Sequence, residues 1–201
     1  MAAPETMRLF VAVFPPAEVA QRMDEAARGL ARGLSPKAVA WTRPEQIHLT
    51  LHFLGGVERA RVEGIERAVE MVCRGGERHL LQARGLGCFP SASRPRILWA
   101  GLGGAADVLE GLKRTLDESL ARLGCAPEMK PFHPHLTLGR VKLLTGGDRR
   151  HLAGTLPQWR EADFGPWTVE RVDLMRSTLL PAGAEYARVR SFPLPGPPAL
   201  P

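Results

Sequence analysis

The stretch Ile47-His48-Leu49-Thr50-Leu51-His52-Phe53-Leu54 has an echo at Phe132-His133-Pro134-His135-Leu136-Thr137-Leu138-Gly139-Arg140. Both carry His-Leu-Thr-Leu among strand-forming residues. Successive side chains in a strand point to opposite faces. His48 and Thr50 therefore share one face, and Leu49 and Leu51 share the other. His135 and Thr137 stand against Leu136 and Leu138 in the same way. The leucines belong under helices, and the polar pairs belong in a groove. One His-x-Thr in a strand is commonplace and carries no function alone. Two copies in matching contexts, 87 residues apart in a chain of 201, imply two similar lobes with the polar pairs facing each other across a cleft.

The elements around these motifs fit an α+β fold with mainly antiparallel pairing. Arg8 to Phe14 reads as the first strand, closed by Pro15-Pro16, which cannot continue a ladder. A helix follows over about 17–32, with Val19, Met23, Ala26, Ala27 and Leu30 at helical spacing. A strand system over 39–54 ends at Gly55-Gly56, and a helix over 57–74 ends at Gly75-Gly76. Strands at 79–88 and 96–102, a helix at 105–123 and a strand at 132–142 come next. A basic loop with a short helix at 143–156 then leads to a final hairpin of strands at 167–178 and 185–192. Residues 1–192 are expected to form one bilobal domain with helices packed outside two pseudo-symmetric lobes. The tail 193–201, with five prolines in nine residues, is expected to be extended or disordered.

Composition narrows the class. Hydrophobic residues make up 44%, enough for a core, and no apolar run approaches the roughly 20 residues of a membrane span. The start lacks the order of a signal peptide, so a soluble, cytoplasmic, monomeric protein with no membrane partner is the expectation. Cys73, Cys88 and Cys125 form no CxxC pair and read as reduced thiols. The formal charge is +6, and only four of the 27 basic residues are lysines. Arginine suits bidentate phosphate recognition, although a GC-rich genome would enrich arginine equally. Charge alone leaves a nucleic-acid partner open.

The chemistry follows from the paired motifs. An imidazole has an ordinary pKa near 6.5, so one histidine can accept a proton while its partner donates one near neutral pH. Threonine hydroxyls can donate to non-bridging phosphate oxygens. Such a site requires no metal and no cofactor. His52 and His133 share the parity of the groove; His52 reads as an exposed strand end and His133 as a structural or rim residue. Phe14 reads as core rather than cleft border.

On these residues the chain resembles the two-histidine phosphoesterase superfamily, and within it the bacterial and archaeal RNA 2′,3′-cyclic phosphodiesterases, first named 2′-5′ RNA ligases (the LigT or ThpR family). The resemblance spans about residues 7–192. It includes Arg8-Leu9-Phe10-Val11-Ala12-Val13, Phe89-Pro90 with Arg96-Ile97-Leu98-Trp99, Leu174-Met175-Arg176-Ser177 and Gly183-Ala184-Glu185-Tyr186. It implies hydrolysis of a terminal 2′,3′-cyclic phosphate to a 2′-phosphate, on RNA ends or cyclic nucleotides. It assigns His48 as proton donor to the departing 3′-oxygen and His135 as the proton acceptor that activates water. Thr50 and Thr137 would hold the phosphate. Arg140 matches the arginine after the second motif, but strand parity puts it opposite His135 unless the strand bulges near Gly139.

Three alternatives stay open at this point. Joining of RNA ends through a 2′-5′ bond would use the same site in reverse. A metal could be held by His48, His52, His133 and His135, although no HExxH is present and neither histidine motif holds a carboxylate. An RNA-end binding module without turnover would use the same basic cleft.

Overall fold

The computed structural model describes residues 5–126, 129, 131–181 and 183–196. In chain order its strands and α-helices are β1 (Thr6–Val13), α1 (Ala17–Ala31), β2 (Val39–Trp41), β3 (Leu49–Glu58), α2 (Val62–Arg74), β4 (His79–Phe89), β5 (Ile97–Gly104), α3 (Ala106–Ala121), β6 (His135–Val141), α4 (Gly146–Thr155), β7 (Asp163–Val169), β8 (Arg171–Leu180) and β9 (Gly183–Pro193). They build two antiparallel sheets, β3-β1-β8-β9 and β2-β6-β5-β4-β7. This is the bilobal α+β architecture expected, with one histidine motif on each sheet.

The lobes are not the two halves of the chain. The first sheet uses β1 and β3 from the start and β8 and β9 from the end; the second takes the middle of the chain plus β2. The sequence shows one strand system over 39–54, but a 3₁₀ turn at Pro44–Gln46 separates β2 from β3 and sends them to different sheets. The strand expected over 167–178 is likewise two strands. Trp167 and Val169 are buried in one sheet and Val172 and Leu174 in the other. The buried parity shifts by one residue at Glu170, where the chain crosses between lobes. No glycine or proline marks that crossing, so the apolar run hides it.

Two further expectations change. Gly55-Gly56 does not end a strand: β3 continues to Glu58, which pairs with Thr6. Gly55 has φ +70, a left-handed conformation that glycine adopts without strain and that accommodates an extra residue in the ladder. Residues 132–134 are not strand, and β6 opens at His135. Pro134 has no N–H to offer a neighbouring strand.

Apolar faces from both sheets and from all four α-helices merge in one buried cluster. Helix α1 lies against β6 and β7, and α2 and α3 pack on each other and against the first sheet. The three cysteines are free thiols; burial pushes the Cys73 thiol up to about 12. The packed structure extends past the expected boundary at 192. Pro193 closes β9, and Leu194 is 1% exposed, its N–H bonded to the Glu170 carbonyl. A side chain at Gly76 would stand 3.1 Å from Leu194 Cδ2, so the missing Cβ makes room for that leucine. The remaining tail residues, 197–201, lie outside the described residues. Truncation of Leu194 to Ala is expected to cost about 2–4 kcal/mol, measured as a lower denaturation midpoint with an unchanged slope in urea.

Candidate active site

His48 immediately precedes β3, and His135 is the first residue of β6. Each ring is anchored in the same way. His48 Nδ1 lies 2.6 Å from the Gln46 carbonyl oxygen, and His135 Nδ1 lies 2.7 Å from the His133 carbonyl oxygen. A carbonyl can only accept, so Nδ1 carries the proton in both rings. In the neutral form each Nε2 is then the unprotonated nitrogen, available to take or return a proton. The anchoring bond spans two residues, so it comes from the entry to the strand and not from a distant part of the fold.

Leu49, Leu51, Leu136 and Leu138 are all buried, and Thr50 and Thr137 are half-buried beside their histidines. Neither threonine hydroxyl has a hydrogen-bond partner among the described residues. Beyond this point simple alternation fails in both strands, through matching β-bulges. Val11 pairs with His52 and Ala12 with Thr50, which leaves Leu51 as the extra residue. Leu98 pairs with Gly139 and Trp99 with Thr137, which leaves Leu138 as the extra residue. Each bulge falls on the leucine that closes the motif and reverses the parity behind it.

The reversal decides four side chains. His52 turns into the protein, at 3% exposure, and Phe53 turns out, at 46%. In the second lobe Gly139 turns in and Arg140 turns out. A Cβ on Gly139 would stand 2.6 Å from Val39, so this position admits no side chain against β2. Arg140 lies on the side of His135 and not opposite it, and its charge acts on both His48 and His135. His52 is therefore no exposed strand end. Its Nδ1 donates to Asp117 Oδ1 at 2.8 Å, and Asp117 Oδ2 accepts from Lys113 at 2.5 Å. His133 is exposed at the rim and supplies the carbonyl that holds His135. The four histidines consequently do not converge. Among the described residues no three His, Cys, Asp or Glu side chains are placed to share an ion.

Aromatic rings close around both histidines. His48 lies 5.0 Å from Phe10, 5.4 Å from Phe14 and 5.2 Å from Tyr186, measured between ring centroids. Phe89 stands edge-on to His135 at 5.0 Å. Phe14 thus borders the cleft and is not a core residue; with Phe10, Ala12, Met175 and Tyr186 it forms a separate apolar cluster. Phe10, Tyr186 and Phe89 were not among the expected site residues. The parity of Phe10, opposite to that of the buried Leu9, Val11 and Val13, was the available signal. These surroundings set the titration of the pair. Burial is the largest effect and holds both histidines below the ordinary imidazole value, because a charged ring loses its hydration there. The carbonyls of Gln46 and His133 oppose this. The Arg140 guanidinium adds to it at both rings, as does His135 at His48 and His133 at His135.

A family model described as LigT like Phosphoesterase matches residues 13–99 and 103–186, one histidine motif in each stretch. The chain is 30% identical over 194 residues to a protein of Aquifex aeolicus named RNA 2′,3′-cyclic phosphodiesterase, covering 96% of this chain and 100% of that one. It is 35% identical over 156 residues to a protein of the same name from Methanothermobacter thermautotrophicus, covering 78% and 83%. Among solved structures, TT0787 of Thermus thermophilus superposes with a TM-score of 0.77 at 30% identity, covering 94% of this chain and 98% of that one. Escherichia coli LigT complexed with 3′-AMP shares the fold, with a TM-score of 0.74 at 24% identity over 94% and 99% of the two chains.

The depressed histidines give a measurable signature. Both ring titrations, followed by proton–carbon NMR, are expected below about 6.5, and Arg140→Gln is expected to move both midpoints upward. Linkage fixes the sign for stability. The folded value lies below the unfolded one, so the unfolded chain binds more protons between the two. The contribution is complete above the unfolded value and is lost as pH falls through it, at up to about 1.4 kcal/mol per pH unit per histidine. A melting temperature that rises on acidification across this window would contradict the assignment. His52 should behave differently: His52→Gln is expected to lower stability by about 1–3 kcal/mol through its lost bond to Asp117, with kcat/KM unchanged in the same preparation.

Proposed function

This chain belongs to the LigT-like phosphoesterase family, and from that premise we propose that it is an RNA 2′,3′-cyclic phosphodiesterase which opens the terminal cyclic phosphate to a 2′-phosphate by acid–base catalysis between two histidines. One observation carries this reading: two imidazoles with the same Nδ1-to-carbonyl anchor, one on each sheet, each leaving Nε2 for chemistry.

His135 Nε2 takes a proton from water as the water oxygen attacks phosphorus. The bond from phosphorus to the 3′-oxygen breaks, and His48 Nε2 gives its proton to that oxygen. The phosphate stays on the 2′-oxygen. Thr50 and Thr137 donate to the non-bridging oxygens, and Arg140 offsets the charge that gathers on them in the transition state. Neither a metal nor a cofactor enters these steps. Dry aromatic walls suit the site, since hydrogen bonds to the phosphate strengthen where water is excluded. One chain supplies both histidines, so a monomer is sufficient. The formal charge of +6 favours encounter with an RNA end.

The test is an RNA oligonucleotide ending in 2′,3′-cyclic phosphate, incubated with the protein in EDTA and followed by phosphorus NMR. Wild type is expected to give a 2′-phosphate, and His48→Ala and His135→Ala are each expected to lose ~10²-fold or more in turnover. The profile of kcat/KM against pH is expected to be bell-shaped with its maximum on the acid side of about 6.5. A 3′-phosphate product would reverse the choice of leaving oxygen, and activity that vanishes in EDTA would refute the metal-free mechanism.

A further inference from the structure

A cavity of about 750 Å³ lies beside His48 and is not used in the proposed reaction. It shares three residues with the surroundings of His48. Phe14 and Tyr186 pack against that ring, and Gln46 supplies the carbonyl that anchors it. From there it runs over Met175 to Arg171 and Arg188. Its size fits a ligand of nucleotide dimensions. Its apolar share, from Phe14, Met175 and the proline turn that opens α1, suits a sugar or base more than a bare anion.

At the far end of this cavity two arginines share a buried carboxylate. Asp173 is 1% exposed and sits under the two arginines, its Oδ1 2.5 Å from the Ser191 hydroxyl. Arg188 approaches it through Nε at 3.2 Å and Arg171 through Nε at 3.6 Å. Among the described residues the Nη groups of both arginines have no hydrogen-bond partner. Their side chains are about half exposed, at 48% and 51%. A buried carboxylate thus holds two guanidinium groups at ion-pair distance and leaves their Nη groups for a ligand, and paired guanidinium groups of this kind suit a phosphate. Glu45 and Glu185 also line the cavity, which disfavours a polyanion and suits a single phosphate joined to a nucleoside.

Substrate direction connects this end to the chemistry. The inference rests on the proposed cyclic phosphodiesterase activity. In that reaction the leaving 3′-oxygen belongs to the ribose and takes its proton from His48, while water enters from the side of His135. The nucleoside and all RNA upstream of it must then lie on the His48 side of the phosphate, where this cavity is. We propose that the cavity is a second phosphate subsite, which takes the 5′-phosphate of the terminal nucleotide on Arg171 and Arg188 and so makes the protein select RNA ends over nucleoside 2′,3′-cyclic phosphates.

The test compares adenosine 2′,3′-cyclic phosphate with the same molecule carrying a 5′-phosphate. Wild type is expected to favour the 5′-phosphorylated substrate by about tenfold in kcat/KM, with a log–log salt dependence steeper by about 0.7 for the one added phosphate contact. Arg171→Ala leaves Asp173 with Arg188 and Ser191, so the fold is expected to survive. Arg188→Gln serves as the second variant, and melting curves check both. Each is expected to remove most of the preference through KM and to leave turnover of the unphosphorylated substrate unchanged. Equal rates on the two substrates in wild type, or equal losses on both in the variants, would overturn the subsite. Calorimetry with adenosine 2′,5′-bisphosphate against adenosine 2′-phosphate reads the same preference without turnover. If wild type cleaves neither nucleotide, the proposed activity stands or falls on the RNA oligonucleotide; tighter binding of the bisphosphate that is lost in Arg171→Ala would still support the subsite, and equal binding would refute it.

Discussion

Leu49, Leu51, Leu136 and Leu138 are tied to the core, and the cleft follows from that constraint. Each is buried to within 2% of full enclosure, worth about 1.5–3 kcal/mol for an aliphatic side chain of this size. With a leucine at every second position held inside, His48, Thr50, His135 and Thr137 have only the opposite face available. A one-residue slip in either strand would bury an imidazole and a hydroxyl and expose two leucines. The hydrophobic term that stabilises the sheets is thus the same term that aims the polar pairs.

The bulges refine this arrangement. A strict alternation through β3 and β6 would have pointed His52 into the cleft and Arg140 away from it. The extra residue at Leu51 and at Leu138 keeps that leucine in the core and reverses the facing of the residues after it. In the first lobe the reversal sends His52 to Asp117 on α3 and puts Phe53 outside. In the second it places Gly139 against β2 and Arg140 on the side of the histidines. Two strands with the same device therefore deliver different side chains. The cleft gains a guanidinium from one lobe and an aromatic ring from the other.

Low hydration and fixed geometry act together on the histidine pair. The aromatic rings around His48 remove water, which disfavours the charged imidazole. The backbone carbonyls at Nδ1 favour it and fix the ring plane. The net effect is a proton held loosely on Nε2, suited to donation. Arg140 adds to this at both rings, so one guanidinium from the second lobe lowers both imidazoles.

Much of the site was legible in the chain by itself. Local alternation and the duplicated His-Leu-Thr-Leu identified His48, Thr50, His135 and Thr137 as polar faces of two strands, because side-chain parity within a few residues is a property of the backbone alone. The helices at α1, α2 and α3 were legible for the same reason. Sequence could not set the crossing at Glu170, the separation of β2 from β3, the bulges, or the aromatic setting of His48 from Phe10, Phe14 and Tyr186. Those depend on which strand lies beside which. Tyr186 and His48 are 138 residues apart and meet only because β8 and β9 return from the end of the chain to complete the sheet begun by β1 and β3. Periodicity shows which face of an element is buried, but pairing between distant strands decides what that face meets.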